Sequence, residues 1–201
     1  MSDVAELGFA GLAVAPSTHL CAFYGGTAAR DDIVVPFLTE GLRTKSKCIC
    51  IVDATEQPGL LARMGGEVDI QGALESGQLT MASPGEAYLR SGTFSTDEML
   101  EYWETSMRAA LDEGTFELGR ATGEMPNLSR VVQREFFRYE ARLNQFVRRY
   151  PQVILCLYDL ERFSAEVLMD TLRTHPLVLV DGTIQRNPYY IDRDEPYGAE
   201  G

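Results

Sequence analysis

The first segment whose residues could take part in chemistry is the glycine turn at residues 24–30, Tyr-Gly-Gly-Thr-Ala-Ala-Arg, which follows a short apolar run. A loop that grips a triphosphate needs glycines for close approach, a lysine for the β- and γ-phosphates and a hydroxyl for magnesium. This turn has adjacent glycines and no lysine, and Arg30 is followed by Asp31 and Asp32, which would repel phosphate at a helix N-terminus. The segment therefore argues against nucleotide hydrolysis at this position.

Charged side chains also follow two further predicted strands. Asp53 and Glu56 come after the apolar run 47–52, and each could act as a metal ligand or general base, or be an ordinary solvated or capping group. Arg120 and Glu124 are predicted at or just past the end of a central strand, where both could point into a crevice. They could form an ion pair that organises the turn or, in a dry crevice, anchor a polar group of a ligand.

The histidines and cysteines offer few other reactive arrangements. His19 begins the first predicted strand and could line a site or satisfy a backbone carbonyl, whereas His175 precedes a proline and is predicted to cap a helix C-terminus. The four cysteines lie within apolar runs, so we expect buried, reduced thiols. The sequence has no CxxC or HxxxH spacing, no GxSxG elbow and no evident cysteine–histidine pair. It therefore predicts neither a metal site nor a catalytic nucleophile.

Short β-rich runs alternate with long helical patterns along the chain. Strands are predicted at 19–24, 47–52, 78–82, 116–122, 153–158 and 177–180. Helical spacing of apolar residues separates them, with a capping box of Ser95 and Glu98 before one helix and a long helix over 129–149. This alternation predicts an α/β fold with a mostly parallel central sheet and helices on both faces. Ligands of such sheets bind beyond the carboxyl ends of the strands.

The net charge and the apolar runs of the chain limit the kinds of partner that it is expected to bind. The net charge is −12, from 30 acidic and 18 basic residues, which argues against nucleic acid or an anionic membrane as the main partner. No apolar run approaches the ~20 residues needed to span a bilayer. Residues 7–16 lack a basic leader, so we expect a cytoplasmic protein. The predicted organisation is an N-terminal tail over 1–16, one domain over 17–190 and an acidic C-terminal tail over 191–201.

An ordered series of segments resembles the MEDS domain family, the sensory domain of methanogen and methylotroph regulators that include a regulator of dichloromethane metabolism. The segments that show the resemblance include HLCAFY at 19–24, KCICIVD at 47–53, GRATGEM at 119–125, LCLYD at 155–159, HPL at 175–177 and NPYY at 187–190. The resemblance implies a RecA/KaiC-like three-layer sandwich that has lost its ATPase loop, and a sensor role with hydrocarbon derivatives as ligands. Domains of this family are often joined to a DNA-binding or kinase-like module. The chain has no room for either, so its output is expected to pass through a separate protein or through self-association.

The leading hypothesis is a stand-alone, non-catalytic sensory domain that binds a small organic ligand and signals through a regulatory protein partner of the kinase or transcription-regulator type. It needs no cofactor or metal. The expected ligand-binding residues are His19, Phe23, Tyr24, Arg120, Glu124, Glu140 and Tyr158. Two alternatives stay open: a divergent nucleotide-binding ATPase with Glu56 or Glu124 as base, and a ligand-free interaction module of a kinase or anti-sigma pathway.

Overall fold

A computed structural model describes residues 4–9, 11–112 and 114–192 of the chain. Its strands are β1 (Ala5–Glu6), β2 (Ala13–Val14), β3 (Thr18–Tyr24), β4 (Lys47–Ile51), β5 (Leu79–Ala82), β6 (Gly119–Glu124), β7 (Gln152–Asp159), β8 (Leu177–Val180) and β9 (Thr183–Arg186). Strands β3 to β9 form a seven-stranded sheet in the order β5-β4-β6-β7-β3-β8-β9. All neighbouring pairs in this sheet are parallel except β8 and β9.

The antiparallel edge pair comes from a tight turn that the sequence analysis did not include. Asp181 and Gly182 connect β8 to β9, and both have positive φ angles, of 47° and 68°. An Asp-Gly pair is the usual sequence for a two-residue hairpin turn with this geometry. This two-residue turn therefore adds one edge strand, β9, to the predicted sheet.

Within the described residues, seven α-helices cover the two faces of the sheet. They are α1 (Gly26–Arg43), α2 (Gln57–Met64), α3 (Ile70–Glu75), α4 (Pro84–Tyr88), α5 (Thr96–Asp112), α6 (Arg130–Phe146) and α7 (Ala165–Thr174). Helices α1 to α3 pack on one face, and α4 to α7 pack on the other. The predicted α/β fold with a mostly parallel sheet between helical layers is therefore confirmed. None of the helices in the described ranges combines the length and apolarity needed to cross a membrane.

Side chains of the central strands β3 and β7 alternate between the two helical layers. On β3, Leu20 and Ala22 belong to the core under α1, whereas Cys21 belongs to the core under α5 and α6. Every residue of β7 is buried, as expected for a strand covered on both faces. Because adjacent residues of a strand point to opposite faces, this alternation decides on which side of the sheet each candidate site residue lies.

The first residues do not behave as the predicted tail over 1–16. Strands β1 and β2 form a small antiparallel hairpin, and Leu7 is fully buried in the core under α1. Gly8 adopts a φ of 81° and lies so close to the backbone of Pro36 that a side chain would collide with it. Residues 4–9 and 11–16 therefore pack as part of the domain. The predicted acidic tail over 191–201 lies outside the described residues, apart from 191 and 192.

Candidate functional site

A buried arginine occupies the start of α1, close to the carboxyl ends of the strands. Arg30 is 1% exposed, and its Nε and Nη2 atoms donate to Asp31 Oδ1 at 3.0 and 2.7 Å. Its Nη1 atom donates to Glu124 Oε1 at 3.2 Å and also contacts the carboxylate of Glu56. Burial alone would lower the pKa of Arg30, but the neighbouring carboxylates of Asp31 and Glu124 outweigh it and raise the pKa. The guanidinium is thus a permanent buried cation held by several acids.

Tyr24 completes this network from the end of β3. Its hydroxyl donates to Glu124 Oε1 at 2.7 Å, so the tyrosine and Arg30 share one carboxylate oxygen. Burial raises the pKa of Tyr24, and the charge of Glu124 raises it further, so the phenol stays protonated. Two of the predicted ligand-binding residues, Tyr24 and Glu124, are therefore brought together as a hydrogen-bonded pair.

The space next to the glycine turn is lined by acids. Asp159 Oδ1 accepts the backbone N–H of Gly26 at 3.5 Å. The carboxylate of Glu161 lies 3.8 to 3.9 Å from where β-carbons of Gly25 and Gly26 would stand. In a phosphate-binding loop the helix N-terminus faces a bound anion, whereas here it faces carboxylates of the protein itself. The environment of the glycine turn therefore differs from that of a phosphate-binding loop.

The other acids at this edge have local partners. Asp53 Oδ1 accepts hydrogen bonds from the backbone N–H and the hydroxyl of Thr55, and these bonds lower the pKa of Asp53. Glu86 forms a capping box with Ser83 at the start of α4. Asp53 therefore organises a turn, and Glu56 is the acid after β4 that reaches the buried arginine.

Arg120 does not form the ion pair with Glu124 that the sequence suggested. Strand β6 begins at Gly119, three residues later than predicted, so Arg120 lies at the amino end of the strand and not at its carboxyl end. The two side chains share one face but stand four residues apart, about 13 Å at ~3.3 Å per residue. Arg120 Nε donates instead to Ser46 Oγ at 3.2 Å, and its guanidinium lies 5.5 Å from the ring centre of Phe37. The partner of Glu124 is Arg30.

A second polar cluster lies on the opposite face of the sheet, beneath α6 and α7. It contains His19 from β3, Glu140 from α6, Cys156 from β7 and His175 at the end of α7, all buried. Glu140 Oε2 lies 3.1 Å from His19 Nε2, 3.3 Å from His175 Nε2 and 3.5 Å from Cys156 Sγ. His19 Nε2 also lies 3.3 Å from Cys156 Sγ. Four ligand-type atoms thus converge on one point in the core.

Outer partners fix both imidazole rings of this cluster. His175 Nδ1 lies 2.8 Å from the backbone carbonyl oxygen of Thr171, which can only accept, so Nδ1 carries the proton. Asn144 Nδ2 donates to the carbonyl of Thr174 at 2.8 Å, which orients Asn144 Oδ1 toward His19 Nδ1 at 3.1 Å. His175 also fulfils its predicted role as the C-cap of α7.

The charges within the cluster follow from burial and proximity. Burial, followed by the nearby His175, lowers the pKa of His19. Burial alone would raise the pKa of Glu140, but the two imidazoles outweigh it when their Nε2 atoms carry protons, and they then lower the pKa to about 2. Burial also raises the pKa of the Cys156 thiol well above its usual value. At neutral pH this corner of the core holds a carboxylate and a protonated thiol.

Aromatic rings flank the cluster. The ring of Tyr158 packs edge-on against His175 at 5.8 Å between centroids, and Phe23 lies 6.2 Å from the ring of Tyr158. The predicted ligand residues His19, Phe23, Glu140 and Tyr158 therefore gather on this face, separated by the sheet from Tyr24 and Glu124. The sequence predicts one crevice, but the structure divides its residues between two faces, and Arg120 lies on the face of Tyr24 and Glu124 at the opposite end of the strands.

A surface cavity of about 410 Å³ lies beside His19, near the amino ends of β3 and β8. Its walls include Asn144, Leu177 and Tyr190, together with the exposed Arg148. The cavity combines apolar walls with cationic and amide groups. It stands at the opposite end of the strands from the predicted position.

Three residues important to these sites were not in the predicted set: Arg30, Cys156 and His175. The sequence indicates only that Arg30 belongs to a glycine turn that lacks a phosphate-binding lysine, and that Cys156 is a buried thiol. Apart from Asp31 beside Arg30, their partners in these sites lie far away in the sequence, so no local spacing could identify them. The one available signal is that Arg30 precedes Ile33 and Val34 by three and four positions, on the apolar face of its helix.

Comparisons with known proteins place this architecture among sensory and RecA/KaiC-like proteins. Residues 18–176 match the profile of MEDS, the MEthanogen/methylotroph, DcmR Sensory domain. The transcriptional repressor DcmR of Methylorubrum extorquens is 33% identical over 182 residues, which cover 87% of this chain and 64% of DcmR. The chain therefore spans somewhat less than two thirds of that repressor.

Solved structures of low sequence identity share the fold. The KaiC-like protein PH0186 of Pyrococcus horikoshii superposes with a TM-score of 0.56 at 13% identity, over 82% of this chain and 70% of that one. The flagellar accessory protein FlaH of Methanocaldococcus jannaschii gives a TM-score of 0.53 at 9% identity, over 84% and 75% of the two chains. The predicted RecA/KaiC-like α/β architecture is confirmed by these likenesses.

Proposed function

Because the chain belongs to the MEDS family of sensory domains, we propose that it binds a small organic molecule and reports the binding to a regulatory protein partner, without catalysing a reaction. The observation that best supports the non-catalytic part is the buried network of Arg30, Glu124 and Tyr24. This network fills the space behind the glycine turn, and the turn itself faces Asp159. A nucleotide would have to displace a buried ion pair and approach carboxylates.

The cavity beside His19 is the site that we assign to the small molecule. An apolar body would lie against Leu177, and a polar head would meet Asn144 and Arg148. Hydrocarbon derivatives with one polar substituent match this combination of walls. This assignment moves the ligand site from the carboxyl ends of the strands to their amino ends.

A matched pair of variants tests the assignment. Arg148 and Arg149 are adjacent and exposed, but only Arg148 lines this cavity. We would screen the wild type by thermal shift and calorimetry against short alcohols, haloalkanes and carboxylates. Arg148→Trp should abolish the response to any hit, and Arg149→Trp should retain it. A folded wild type that responds to none of the panel, or a hit unaffected by Arg148→Trp, would contradict the assigned site.

The nucleotide-hydrolase alternative makes a separate prediction. Calorimetry with ATP and Mg²⁺ should show no binding to the wild type, since the turn lacks a lysine and faces acids of the protein. Magnesium-dependent ATP binding with phosphate release would establish that alternative instead.

The output is assigned to a partner in the cytoplasm, by analogy with the repressor DcmR, which is longer than the matched region. The net charge of −12 argues that the chain does not contact DNA directly. Capture of a regulatory protein whose affinity changes with the small molecule would support this output. Capture that ignores every active compound would favour the ligand-free interaction module.

A further inference from the structure

We propose that His19, Glu140, Cys156 and His175 form a binding site for one divalent transition-metal ion of the zinc type. The four side chains come from two layers of the fold: strands β3 and β7 of the sheet, and helix α6 with the end of α7 in one helical layer. All four are buried, and their ligand atoms lie within 4.8 Å of one another. This inference does not rest on the small-molecule site proposed above, although His19 belongs to the cluster and also lines that cavity.

The ligand types suit such an ion. Two imidazole nitrogens, one carboxylate oxygen and one sulfur are the donors that zinc and cobalt accept in proteins. Calcium and magnesium prefer oxygen donors, so a set with two nitrogens and a sulfur selects against them. The chemistry of the donors therefore specifies a borderline transition metal.

The spacing between the donor atoms matches a tetrahedron. Metal–ligand bonds of ~2.0 to 2.3 Å give edges of about 3.3 to 3.8 Å between ligands, because a tetrahedron's edge is about 1.63 times its centre-to-corner distance. Four edges are fixed by the structure at 3.1, 3.3, 3.3 and 3.5 Å. These four distances are within ~0.2 Å of the expected range, and the two remaining edges, from His175 to His19 and to Cys156, are at most 4.8 Å.

The lone pairs that meet at the centre of the cluster also favour the binding of a cation. The Nδ1 atoms of His19 and His175 face oxygen acceptors, so in the neutral rings each Nε2 presents a lone pair to Glu140 Oε2. His175 Nε2 is fully buried and makes no hydrogen bond within the described part of the chain. The thiol of Cys156 supplies the only hydrogen to three acceptors. A metal ion would satisfy all of them at once.

Outer contacts of the kind found around metal sites are already in place. Metal-binding histidines usually donate their second ring nitrogen to a carbonyl or carboxylate, which fixes the ring. The carbonyl of Thr171 and the amide of Asn144 have this role here. Asn144 and His19 also line the surface cavity, which provides a route for an ion from solvent.

Cobalt substitution tests the site directly. The purified full chain, treated with a chelator and then titrated with Co²⁺, should bind one ion per chain. It should develop a thiolate-to-cobalt charge-transfer band and intense ligand-field bands typical of tetrahedral cobalt, and Zn²⁺ should displace the cobalt and bleach both. A wild-type protein that stays colourless and takes up neither ion would overturn the proposal, as would an octahedral cobalt spectrum without the thiolate band.

Two cysteine variants separate the site from general effects on folding. Cys156→Ser should lose the charge-transfer band and bind Co²⁺ at least ~10-fold more weakly. Cys48→Ser, a buried thiol on the opposite face, should keep the wild-type spectrum. If Cys156→Ser does not fold, Asn144→Ala serves instead, with ~10- to 100-fold weaker binding expected from loss of an outer partner. Equal cobalt affinity in a folded test variant and the wild type would overturn the assignment.

Discussion

Replacing Arg30 by methionine should strongly destabilise the domain. The methionine keeps the apolar stem but removes the cation from a side chain that is 1% exposed. It leaves Glu124 and Asp31, whose side chains are 7% and 9% exposed, without their main partner. Removing one partner of a buried ion pair costs about 3 to 5 kcal/mol in the free energy of unfolding. That is a large part of the ~5 to 15 kcal/mol of a whole domain.

Urea denaturation followed by circular dichroism measures this loss. With a slope of about 2 kcal/mol per molar urea, a loss of about 4 kcal/mol moves the midpoint down by about 2 M. Arg63→Met is the control, because Arg63 also bonds Asp31 but is 44% exposed. Exposed pairs contribute ~0 to 1 kcal/mol, so this midpoint should move by less than ~0.5 M.

A double variant tests whether Arg30 and Glu124 act as one unit. Arg30→Met leaves Glu124 with an unpaired negative charge, and adding Glu124→Gln removes that charge. The loss of unfolding free energy in the double variant should therefore be smaller than the sum of the two single losses by about 1 kcal/mol or more. Strict additivity, or an Arg30→Met midpoint equal to that of Arg63→Met, would refute the idea of a dry network in which Arg30 neutralises Glu124. In that case the space behind the glycine turn would be hydrated and open to ligands.

Three further outcomes are expected. Tyr24→Phe should lower the unfolding free energy by about 1 to 2 kcal/mol in urea titrations, since it removes a hydrogen bond to a buried carboxylate; an unchanged midpoint would contradict that bond. Gly8→Ala should cost at least ~3 kcal/mol and Gly11→Ala only ~1, because both have positive φ but only Gly8 abuts the backbone of α1; equal thermal midpoints would speak against the packed hairpin. Trp103 is 2% exposed and donates to the hydroxyl of Tyr139 at 2.6 Å. Its native fluorescence should therefore be blue-shifted and resist quenching by iodide, and ready quenching would show that α5 does not pack as described.

The fold was largely accessible from sequence because its signals are local. The apolar run 153–158 predicted a buried strand, and β7 extends that run by one residue at each end. Ser164 is of a residue type that favours helix N-termini, and at the start of α7 its side chain accepts from the backbone of Val167. The hairpin β1–β2 was missed because each strand has only two residues and packs through a few apolar contacts with α1.

The site was less accessible because its contacts are not local. Tyr24 and Glu124 were expected near each other because each ends a strand of the parallel sheet. The two side chains are hydrogen-bonded, although β7 lies between their strands. The error in Arg120 came from a strand boundary displaced by three residues, which moved the side chain to the wrong end of β6. His19 and Glu140 are separated by 121 positions in the sequence but lie 3.1 Å apart through their side chains. Only the packing of α6 on β3 brings them together.

The strand order gives the domain a graded resistance to opening. Strands β3 and β7 each have a hydrogen-bonded neighbour on both sides, whereas β9 has only β8. Amide hydrogens in the middle of the sheet should therefore exchange with deuterium most slowly, and those of the β8–β9 edge more rapidly. The His19 cluster rests on the slow centre, while Leu177 and Arg186 of the adjoining cavity belong to the fast edge. A small molecule could thus enter the cavity when the β8–β9 edge opens transiently, while the middle of the sheet remains intact.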